Sequence, residues 1–362
     1  MPQRAEARRE RENTMSHRDI IVIGASAGGV EALTALVRLL PSDLPAALFI
    51  VSHLPPYGRT VLPEILQRVG QLPAALAVDG EPIRASKIYV APPDHHLLLE
   101  TERVRVTHGP KENRFRPAID PLFRSAAYVY GPGVIGVVLS GALDDGTAGL
   151  WAVKDRGGLA LVQDPEEALV SAMPESALAY VQIDYCVPVA ALGPLLVRLT
   201  TEPLVPETVP PTSPSLAIES HITADERAAE GEVMQLGELS PFTCPECHGT
   251  LTRLQEGGLL RFRCHTGHAY MAQSLLTELA ESLEATLWNT LRVIEEQILL
   301  LRHMAQHAQS SGMQVSPLVE QQVQALLQQA TQIRTLTVLQ QQINPEYVSR
   351  GSREGPGKGV SQ

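Results

Sequence analysis

A serine with small neighbours follows the first apolar run of the chain: Ser26 lies within residues 24–29, whose sequence is Gly-Ala-Ser-Ala-Gly-Gly. This G-x-S-x-G element comes after a predicted strand, and helix-like sequence follows it. A serine on a sharp strand-to-helix turn projects its hydroxyl outward, which predicts a hydrolase with Ser26 as nucleophile. The alternative is the glycine-rich turn of a nucleotide-binding fold, in which the serine only caps a helix. The six residues alone favour neither.

A nucleophilic serine needs a base and an acid that orients the base, and both residue types follow later predicted strands. His53 closes the apolar run 47–51, and Asp144 and Asp145 come just after the run 134–139. The carboxyl ends of parallel strands meet at one edge of the sheet, where ligands bind in open α/β folds. Three placements on one edge favour the hydrolase, although the order Ser-His-Asp differs from the Ser-Asp-His order of α/β-hydrolases.

Each candidate also has a simple structural explanation. His53, taken alone, fits a strand-end residue bonded to a nearby carbonyl. One of Asp144 and Asp145 is expected to cap a helix that begins near Thr147. Three further histidines are rival bases, of which the first two follow a turn and close no strand as cleanly: His95, His96 and His108.

Short apolar runs alternate with amphipathic segments between residues 19 and 200. Strands are predicted at 20–23, 47–51, 87–90, 104–106, 134–139 and 159–163, and helices at 30–40, 121–129 and 147–155. This alternation predicts an α/β domain with a doubly wound, mostly parallel sheet of the Rossmann-like kind. Cys186 is expected to be buried in a further short apolar strand.

The chain changes character after residue 200. The predicted order is a Pro-rich acidic linker at 201–240, a zinc-ribbon-like Cys/His module at 241–272, a helical hairpin or coiled coil at 273–345, and disordered ends at 1–18 and 346–362. The helices are predicted from leucines and isoleucines that recur every three or four residues.

The Cys/His module has the spacing of a metal site. Cys244 and Cys247 form a C-x₂-C pair, and sixteen residues separate it from the C-x₃-H pair of Cys264 and His268. Thiolates and an imidazole at these spacings fit a tetrahedral structural zinc site, with His265 as an alternative fourth ligand. The module is too short to bury a core, so the metal is expected to supply its stability. The other explanation is a small loop-rich module with free cysteines.

Composition limits the classes of function. The 362 residues carry a net charge of −11, which argues against general nucleic-acid binding. No apolar run approaches the roughly 18 residues of a membrane-spanning helix, and the Arg/Glu-rich N-terminus lacks the apolar core of a secretory signal. Four cysteines, three of them close together, favour the cytoplasm and metal binding over disulfides. Met15 is an alternative start to Met1.

Residues 19–200 resemble the catalytic domain of chemotaxis protein-glutamate methylesterases of the CheB type. The matching segments fall in family order and cover the whole domain: residues 23–29, 52–55, 88–96, 116–125, 139–146, 163–165 and 173–174. The resemblance implies Ser26 as nucleophile, His53 as base and Asp145 as orienting acid, because the family's aspartate directly precedes a glycine.

The resemblance also implies an oxyanion and substrate site at Ala27, Gly141 and Ala142. The family usually has Thr at the position of Ala27 and Met at that of Ala142. A backbone N–H survives any substitution except proline, so an oxyanion hole is still expected. A similar Cys/His segment followed by a helix occurs behind some stand-alone members of the family.

The expected reaction is hydrolysis of methylated glutamates on chemoreceptor helices, without a catalytic cofactor, and glutamine deamidation by the same chemistry. The alternative is a degenerate domain that binds a partner. About 18 residues precede the first strand, so control by a receiver domain in the same chain is not expected. A response regulator acting in trans through residues 241–343 is one hypothesis, and pairing of the C-terminal helices in a homo-oligomer is another. Membrane contact is expected only through the receptors.

Overall fold

The computed structural model describes residues 17–53, 60–204, 211–224 and 229–341. The chain divides into two compact units, Met1–Ser274 and Leu275–Gln362. Of the disordered ends predicted at 1–18 and 346–362, only residues 17 and 18 fall within the described part.

A seven-stranded parallel sheet forms the centre of the first unit. In the part of the chain that the structure describes, nine strands precede the Cys/His module: β1 (Ile20–Ala25), β2 (Ala47–Ser52), β3 (Ala74–Leu76), β4 (Ile88–Val90), β5 (His96–Glu100), β6 (Arg103–Thr107), β7 (Val134–Val138), β8 (Leu159–Gln163) and β9 (Tyr185–Val187). The sheet has the order β3-β4-β2-β1-β7-β8-β9, and every pairing in it is parallel. The chain therefore leaves β1 toward one side and returns to its other side with β7, which creates a switch in strand order next to β1.

Helices cover both faces of this sheet. They are α1 (Gly29–Val37), α2 (Leu62–Val69), α3 (Ile119–Tyr130), α4 (Thr147–Asp155), α5 (Ala172–Tyr180) and α6 (Val189–Thr201). Ile20 and Val22 pack with α3, α4 and α5 on one face, whereas Ile21 and Ile23 pack with α1, α2 and α6 on the other. A strand that is buried on both faces has a continuous run of apolar residues in its sequence. The predicted doubly wound α/β fold is confirmed.

The peripheral strands differ from the predictions. The predicted strand 104–106 belongs to β6, which pairs with β5 in an antiparallel hairpin separate from the central sheet. The prediction that Cys186 is buried is wrong, because β9 is the last strand of the sheet and the cysteine is exposed. An apolar triplet in the sequence does not distinguish an edge strand from a central one.

The segment predicted as a linker contains ordered, buried structure. Within residues 211–224 and 229–240 the chain forms α7 (Pro214–Ala224), α8 (Ala229–Glu232) and the start of β10 (Gly237–Thr243). On α7, Leu216 joins the core of the sheet and Glu219 is completely buried. Proline and acidic residues are typical of linkers, but the acid here is buried because it meets arginines from other parts of the chain.

The Cys/His module forms a four-stranded antiparallel sheet in the order β10-β11-β12-β13, completed by β11 (Thr250–Glu256), β12 (Leu259–Cys264) and β13 (Ala269–Met271). A buried ion cluster links it to the catalytic domain and to α7, and its members are Glu112, Arg124, Glu219, Arg261 and Arg263. Arg263 is central, since its Nη2 lies 3.0 Å from Glu112 and 2.7 Å from Glu219. Burial disfavours a charged Glu112, but Arg124 and Arg263 outweigh it and lower the pKa of Glu112 to about 2.

Two long helices account for most of the remaining residues, α9 (Ala272–Ser310) and α10 (Pro317–Gln341). In the second unit they pack as a helical hairpin around a small apolar core made of Leu291, Ile294, Ile298, Val323, Leu326 and Ala330. None of the described helices combines the length and the apolarity needed to cross a membrane.

Candidate active site

Ser26 lies in the tight turn that joins β1 to α1. Its carbonyl accepts a hydrogen bond from the Gly29 N–H at 2.8 Å, and Gly28 has a φ of 73°, in the left-handed region that favours glycine. A Cβ at Gly28 would also lie 2.6 Å from the Cβ of Leu169 and 2.7 Å from the Oγ of Ser140. The small residues around Ser26 therefore allow a turn that leaves the serine at the N-terminal end of a helix, where the dipole favours negative charge.

His53 lies beside Ser26 because their strands are neighbours. β1 and β2 pair in parallel with Ala25 opposite Ser52, so the residue that follows each strand reaches the same edge. The Oγ of Ser26 is 2.9 Å from Nδ1 of His53, and Nε2 of His53 is 2.8 Å from Oδ2 of Asp145. The structure thus brings together the three residues predicted as nucleophile, base and orienting acid.

The ring of Phe115 covers one face of the imidazole. The two ring centroids are 3.6 Å apart and the planes are inclined by 8°, and the His53 side chain is only 5% exposed. The stacked ring fixes the plane of the imidazole and keeps water from that face, which keeps both ring nitrogens directed at their partners.

Asp145 lies in the loop between β7 and α4, and hydrogen-bond donors surround its carboxylate. Its Oδ2 accepts from His53 Nε2 at 2.8 Å and the Ile119 N–H at 2.7 Å, and its Oδ1 accepts from the Asn113 Nδ2 at 2.9 Å, the Gly146 N–H at 2.9 Å and the Asp120 N–H at 3.2 Å. All of these groups present protons, so the carboxylate is held in its ionised form.

The charges in this region follow from those contacts. Burial opposes the ionisation of Asp145, but the hydrogen bond and charge of His53 and the donors on Ile119 and Asn113 outweigh it and hold the pKa of Asp145 below its usual value. The neighbouring Asp120 shifts the other way, because burial and the charge of Asp145 raise its pKa to about 7. An ionised Asp145 accepts a hydrogen bond from Nε2 of His53, which leaves Nδ1 to accept the proton of Ser26.

The three residues predicted to hold the oxyanion and substrate differ in what their N–H groups do. The N–H of Gly141 donates to the Val170 carbonyl at 3.0 Å, and a Cβ at Gly141 would lie 2.9 Å from that of Ser26. The structure therefore gives Gly141 a packing role and not that of a donor. Ala27 and Ala142 are exposed, and no backbone hydrogen bond recorded among the described residues uses their N–H groups.

The rival histidines are engaged elsewhere. His96 is fully buried, with Nε2 bonded to the Pro110 carbonyl at 2.9 Å and Nδ1 accepting from the Ala118 N–H at 3.3 Å. Burial lowers the pKa of His96 to about 4, so the ring is neutral and structural. The hydrogen bonds of the other two go to the Pro93 carbonyl from His95 and to Asp94 from His108.

Asp144 is directed away from the histidine. Its carboxylate accepts from the hydroxyl and, at 3.3 Å, from the backbone N–H of Ser274 in the first turn of α9. Burial raises the pKa of Asp144 to about 6, against the opposing effect of these hydrogen bonds. The expected aspartate cap of α4 is not found among the described residues, since the N-cap residue is Gly146, which has no side chain that could cap the helix.

Sequence reasoning missed Asn113, Phe115 and Asp120, all of which contact the triad or its neighbours. Asp120 lies in one of the segments that carried the family resemblance, but its burial beside a second carboxylate has no signal in the sequence. Asn113 and Phe115 belong to a polar, turn-like stretch. Such a stretch predicts a loop, without indicating which side chains the loop will meet.

The predicted metal ligands converge in the Cys/His module. The ligand atoms of Cys244, Cys247, Cys264 and His268 all lie within 4.8 Å of one another. The sulfur atoms of Cys247 and Cys264 are 3.6 Å apart, and Nδ1 of His268 is 3.5 Å from Cys264 and 3.7 Å from Cys244. A tetrahedral Zn²⁺ with bonds of about 2.0–2.3 Å has edges of about 3.5–3.8 Å, so the donor set fits this ion in both chemistry and spacing.

The turns around these ligands have the form expected of a closed site. The N–H of Cys244 donates to the Gly249 carbonyl and that of Cys264 to the His268 carbonyl, at 2.7 and 2.9 Å. Each pair of ligands is thus held by its own short turn. His265, the alternative fourth ligand, is exposed and lies outside the cluster.

The fold and the site together define a class: an α/β protein with a Ser-His-Asp arrangement at the carboxyl edge of its sheet, as serine hydrolases have. Comparisons with known proteins identify the family. A family model described as CheB methylesterase matches residues 21–196.

Several relatives carry the corresponding name. A putative protein-glutamate methylesterase/protein-glutamine glutaminase of Leptospira interrogans is 37% identical over 182 residues, which are 50% of this chain and 94% of that protein. The protein-glutamate methylesterase/protein-glutamine glutaminase 2 of Anaeromyxobacter dehalogenans is also 37% identical over 182 residues, which are 53% of its length. The crystal structure of the Thermotoga maritima CheB methylesterase catalytic domain is 33% identical, covers 51% of this chain and 100% of that one, and gives a TM-score of 0.49.

The chain therefore belongs to the CheB methylesterase family, a family of ester hydrolases. The matched residues end before the Cys/His module and the long helices.

Proposed function

We propose that this protein is a serine-dependent protein-glutamate methylesterase that acts on methylated glutamates of chemoreceptor helices. The observation that carries the proposal is the continuous hydrogen-bonded series from Ser26 through His53 to Asp145. The names of the relatives supply the substrate class. The same series argues against a degenerate domain, because a domain kept only for binding has no need of an intact nucleophile, base and acid.

The geometry gives each group a step. Nδ1 of His53 takes the proton of Ser26 as Oγ attacks the ester carbonyl of the methylated glutamate, and Asp145 stabilises the imidazolium that forms. The N–H groups of Ala27 and Ala142 then hold the oxyanion of the tetrahedral intermediate. His53 returns its proton to the departing methoxide, and methanol leaves a glutamyl ester on Ser26.

A water molecule completes the reaction. His53 removes a proton from the water as it attacks the acyl-enzyme, and the proton then passes to Oγ of Ser26 as the glutamate carboxylate is released. A glutamine side chain would follow the same route with ammonia as leaving group, so we include protein-glutamine deamidation in the proposal. These steps require no catalytic cofactor.

The decisive experiment is methanol release from a methylated receptor fragment by the full chain and by Ser26→Ala. We expect release by the parent protein and none above background by the variant. Ser42→Ala is the matched control, since Ser42 is exposed and precedes β2, at the opposite edge of the sheet from the triad. Undiminished release by Ser26→Ala would remove the proposal, and so would the absence of both methanol release and deamidation in the folded parent protein.

We also propose that the Cys/His module holds a structural Zn²⁺ through Cys244, Cys247, Cys264 and His268. The donor set and its spacing support this assignment. Metal analysis of the purified protein should give one zinc per chain, lost in Cys244→Ser and retained in Cys186→Ser, whose cysteine is exposed and outside the cluster. Folded protein with no metal would contradict the assignment.

The remaining proposals concern the setting of the reaction. We place the protein in the cytoplasm, because the four cysteines are free and thiols persist in reducing compartments. Its activation by a response regulator in trans and its self-association through the C-terminal helices stay hypotheses. Activity compared with and without a candidate regulator, and the mass of the protein in solution, would test them.

A further inference from the structure

Asn113 connects the triad to the Cys/His module. The side chain is 2% exposed, and its Nδ2 donates to Oδ1 of Asp145 at 2.9 Å and to Oδ2 of Asp120 at 2.8 Å. Its Oδ1 accepts the backbone N–H of Met271 at 2.8 Å. An amide whose oxygen is held in this way cannot rotate, so the contact with Met271 determines that the NH₂ group faces the two carboxylates.

Met271 belongs to the strand that follows the predicted metal ligands. β13 begins at Ala269, directly after His268, and pairs with β12, which ends at Cys264. The backbone of the Asn113 loop also pairs with this strand, because the Asn113 N–H donates to the Ala269 carbonyl at 2.8 Å and the Ala269 N–H to the Lys111 carbonyl at 3.3 Å. The loop therefore extends the edge of the module's sheet.

Two further sets of contacts join this part of the chain to the segments on either side of Asp145. Leu259 and Met271 of the module pack on Ala148 and Trp151 of α4, the helix that follows the Asp145 loop. Ser274 bonds to the carboxylate of Asp144, the residue next to Asp145. The module thus contacts the acid side of the triad at two points, Asn113 and α4, and the first turn of α9, which directly follows the module, adds a third contact at Asp144.

We propose that the Cys/His module is a positioning element of the triad: Asn113, held by β13, orients Asp145, so that formation of the Cys244-Cys247-Cys264-His268 site supports catalysis. The inference rests on the proposed function. It requires no contact between the module and the receptor, which separates it from a module that only docks substrate. Loss of the metal site would loosen β13, free the Asn113 amide and leave Asp145 without one of its donors.

The test uses p-nitrophenyl acetate, a small ester whose hydrolysis needs no receptor docking, and three forms of the full chain: Asn113→Ala, Cys264→Ser and the double variant. We expect Asn113→Ala and Cys264→Ser each to lower kcat/KM by about 10- to 100-fold, the effect typical of a lost hydrogen bond to a charged group. The double variant should be no worse than the poorer single variant, because both changes act through one contact. Cys186→Ser is the control and should match the parent protein.

A second measurement reports on the position of Asp145 without turnover. The proton shared by His53 Nε2 and Asp145 should give a low-field resonance in the parent protein that broadens or disappears in Asn113→Ala and after chelation of the metal. Because Asn113→Ala leaves all four metal ligands in place, it stays informative if Cys264→Ser does not fold.

Three results would overturn the inference: an unchanged resonance and unchanged ester hydrolysis in Asn113→Ala, full additivity of the two changes, or metal-depleted protein that loses only receptor demethylation. If the parent protein has no esterase activity of any kind, the proposed function fails. The resonance still shows in that case whether the module positions Asp145.

Discussion

The two halves of the triad are built in different ways. Ser26 and His53 each follow a strand of the central sheet, and the parallel pairing of Ala25 with Ser52 places them side by side. Asp145 comes seven residues after the end of β7, and its position depends on hydrogen bonds from residues outside the sheet. Ser26 and His53 are therefore placed by backbone register, and Asp145 by side chains and loops.

This difference determines which part of the site should tolerate substitutions elsewhere in the chain. Strand register next to a buried core is strongly specified, because a slip of one residue would turn every side chain to the other face. The acid depends on contacts that reach as far along the chain as Met271, through Asn113. Changes remote from Ser26 should therefore reach the chemistry through Asp145 and leave the nucleophile in place.

Among the variants that distinguish the two halves of the triad, Asp145→Asn is expected to lower kcat the most. Five donors surround the carboxylate, so an amide NH₂ in either orientation meets at least two of them. The imidazole of His53 then loses its charged partner, and nothing keeps its proton on Nε2. We expect kcat to fall by about 10³- to 10⁴-fold as a result. The measurement is kcat for ester hydrolysis, with Asp155→Asn as the control at close to parental kcat, since Asp155 is exposed at the far end of α4. A loss below tenfold in Asp145→Asn would mean that the acid half contributes little.

The sequence was sufficient to predict the half of the site that register determines. Apolar runs located β1, β2 and β7, and the rule that ligands bind at the carboxyl ends of parallel strands grouped Ser26 and His53 with the pair Asp144 and Asp145. The choice of Asp145 from that pair came from the family resemblance. The spacing of the cysteines likewise predicted a cluster that forms within one short segment. Both predictions depend on local pattern plus one general rule of packing.

The contacts on the acid side could not be predicted in the same way. Asn113 reaches Asp145 and Met271 across 32 and 158 residues, and nothing in a polar loop indicates partners at such separations. Glu219 had the appearance of linker sequence, yet it is buried against Arg261 and Arg263. Hydrophobic periodicity reports which face of an element is buried, and it carries no information on which distant polar groups will pair.

A smaller effect, on stability and not on rate, is expected from Asp144→Asn. The pKa of Asp144 is about 6 in the folded protein and 3.8 is its ordinary value, so the folded state binds this proton more tightly and loses stability as pH rises from about 4 to 6. The asparagine has no such penalty. The variant should therefore gain stability over the parent protein across this window, by up to about 3 kcal/mol.

Urea midpoints of both proteins at pH 4 and pH 7 measure this effect. The difference between variant and parent should be larger at pH 7. A difference that is the same at both values would show that Asp144 ionises as easily in the folded protein as in the unfolded chain, and that its contact with Ser274 compensates its burial.

The smallest expected effect comes from Phe115→Leu, which probes the base and not the acid. Phe115 covers one face of His53 with its ring, and stacked aromatic pairs contribute about 0.5–1.5 kcal/mol beyond their buried area. Leucine fills much of the space but gives the imidazole no parallel plane, so kcat/KM for a small ester should fall by about 2- to 10-fold. Phe115→Tyr keeps the ring and should remain near the parental value. If Phe115→Leu were as damaging as Asp145→Asn, the base would depend on loop contacts as strongly as the acid does, and backbone register could not be what places His53.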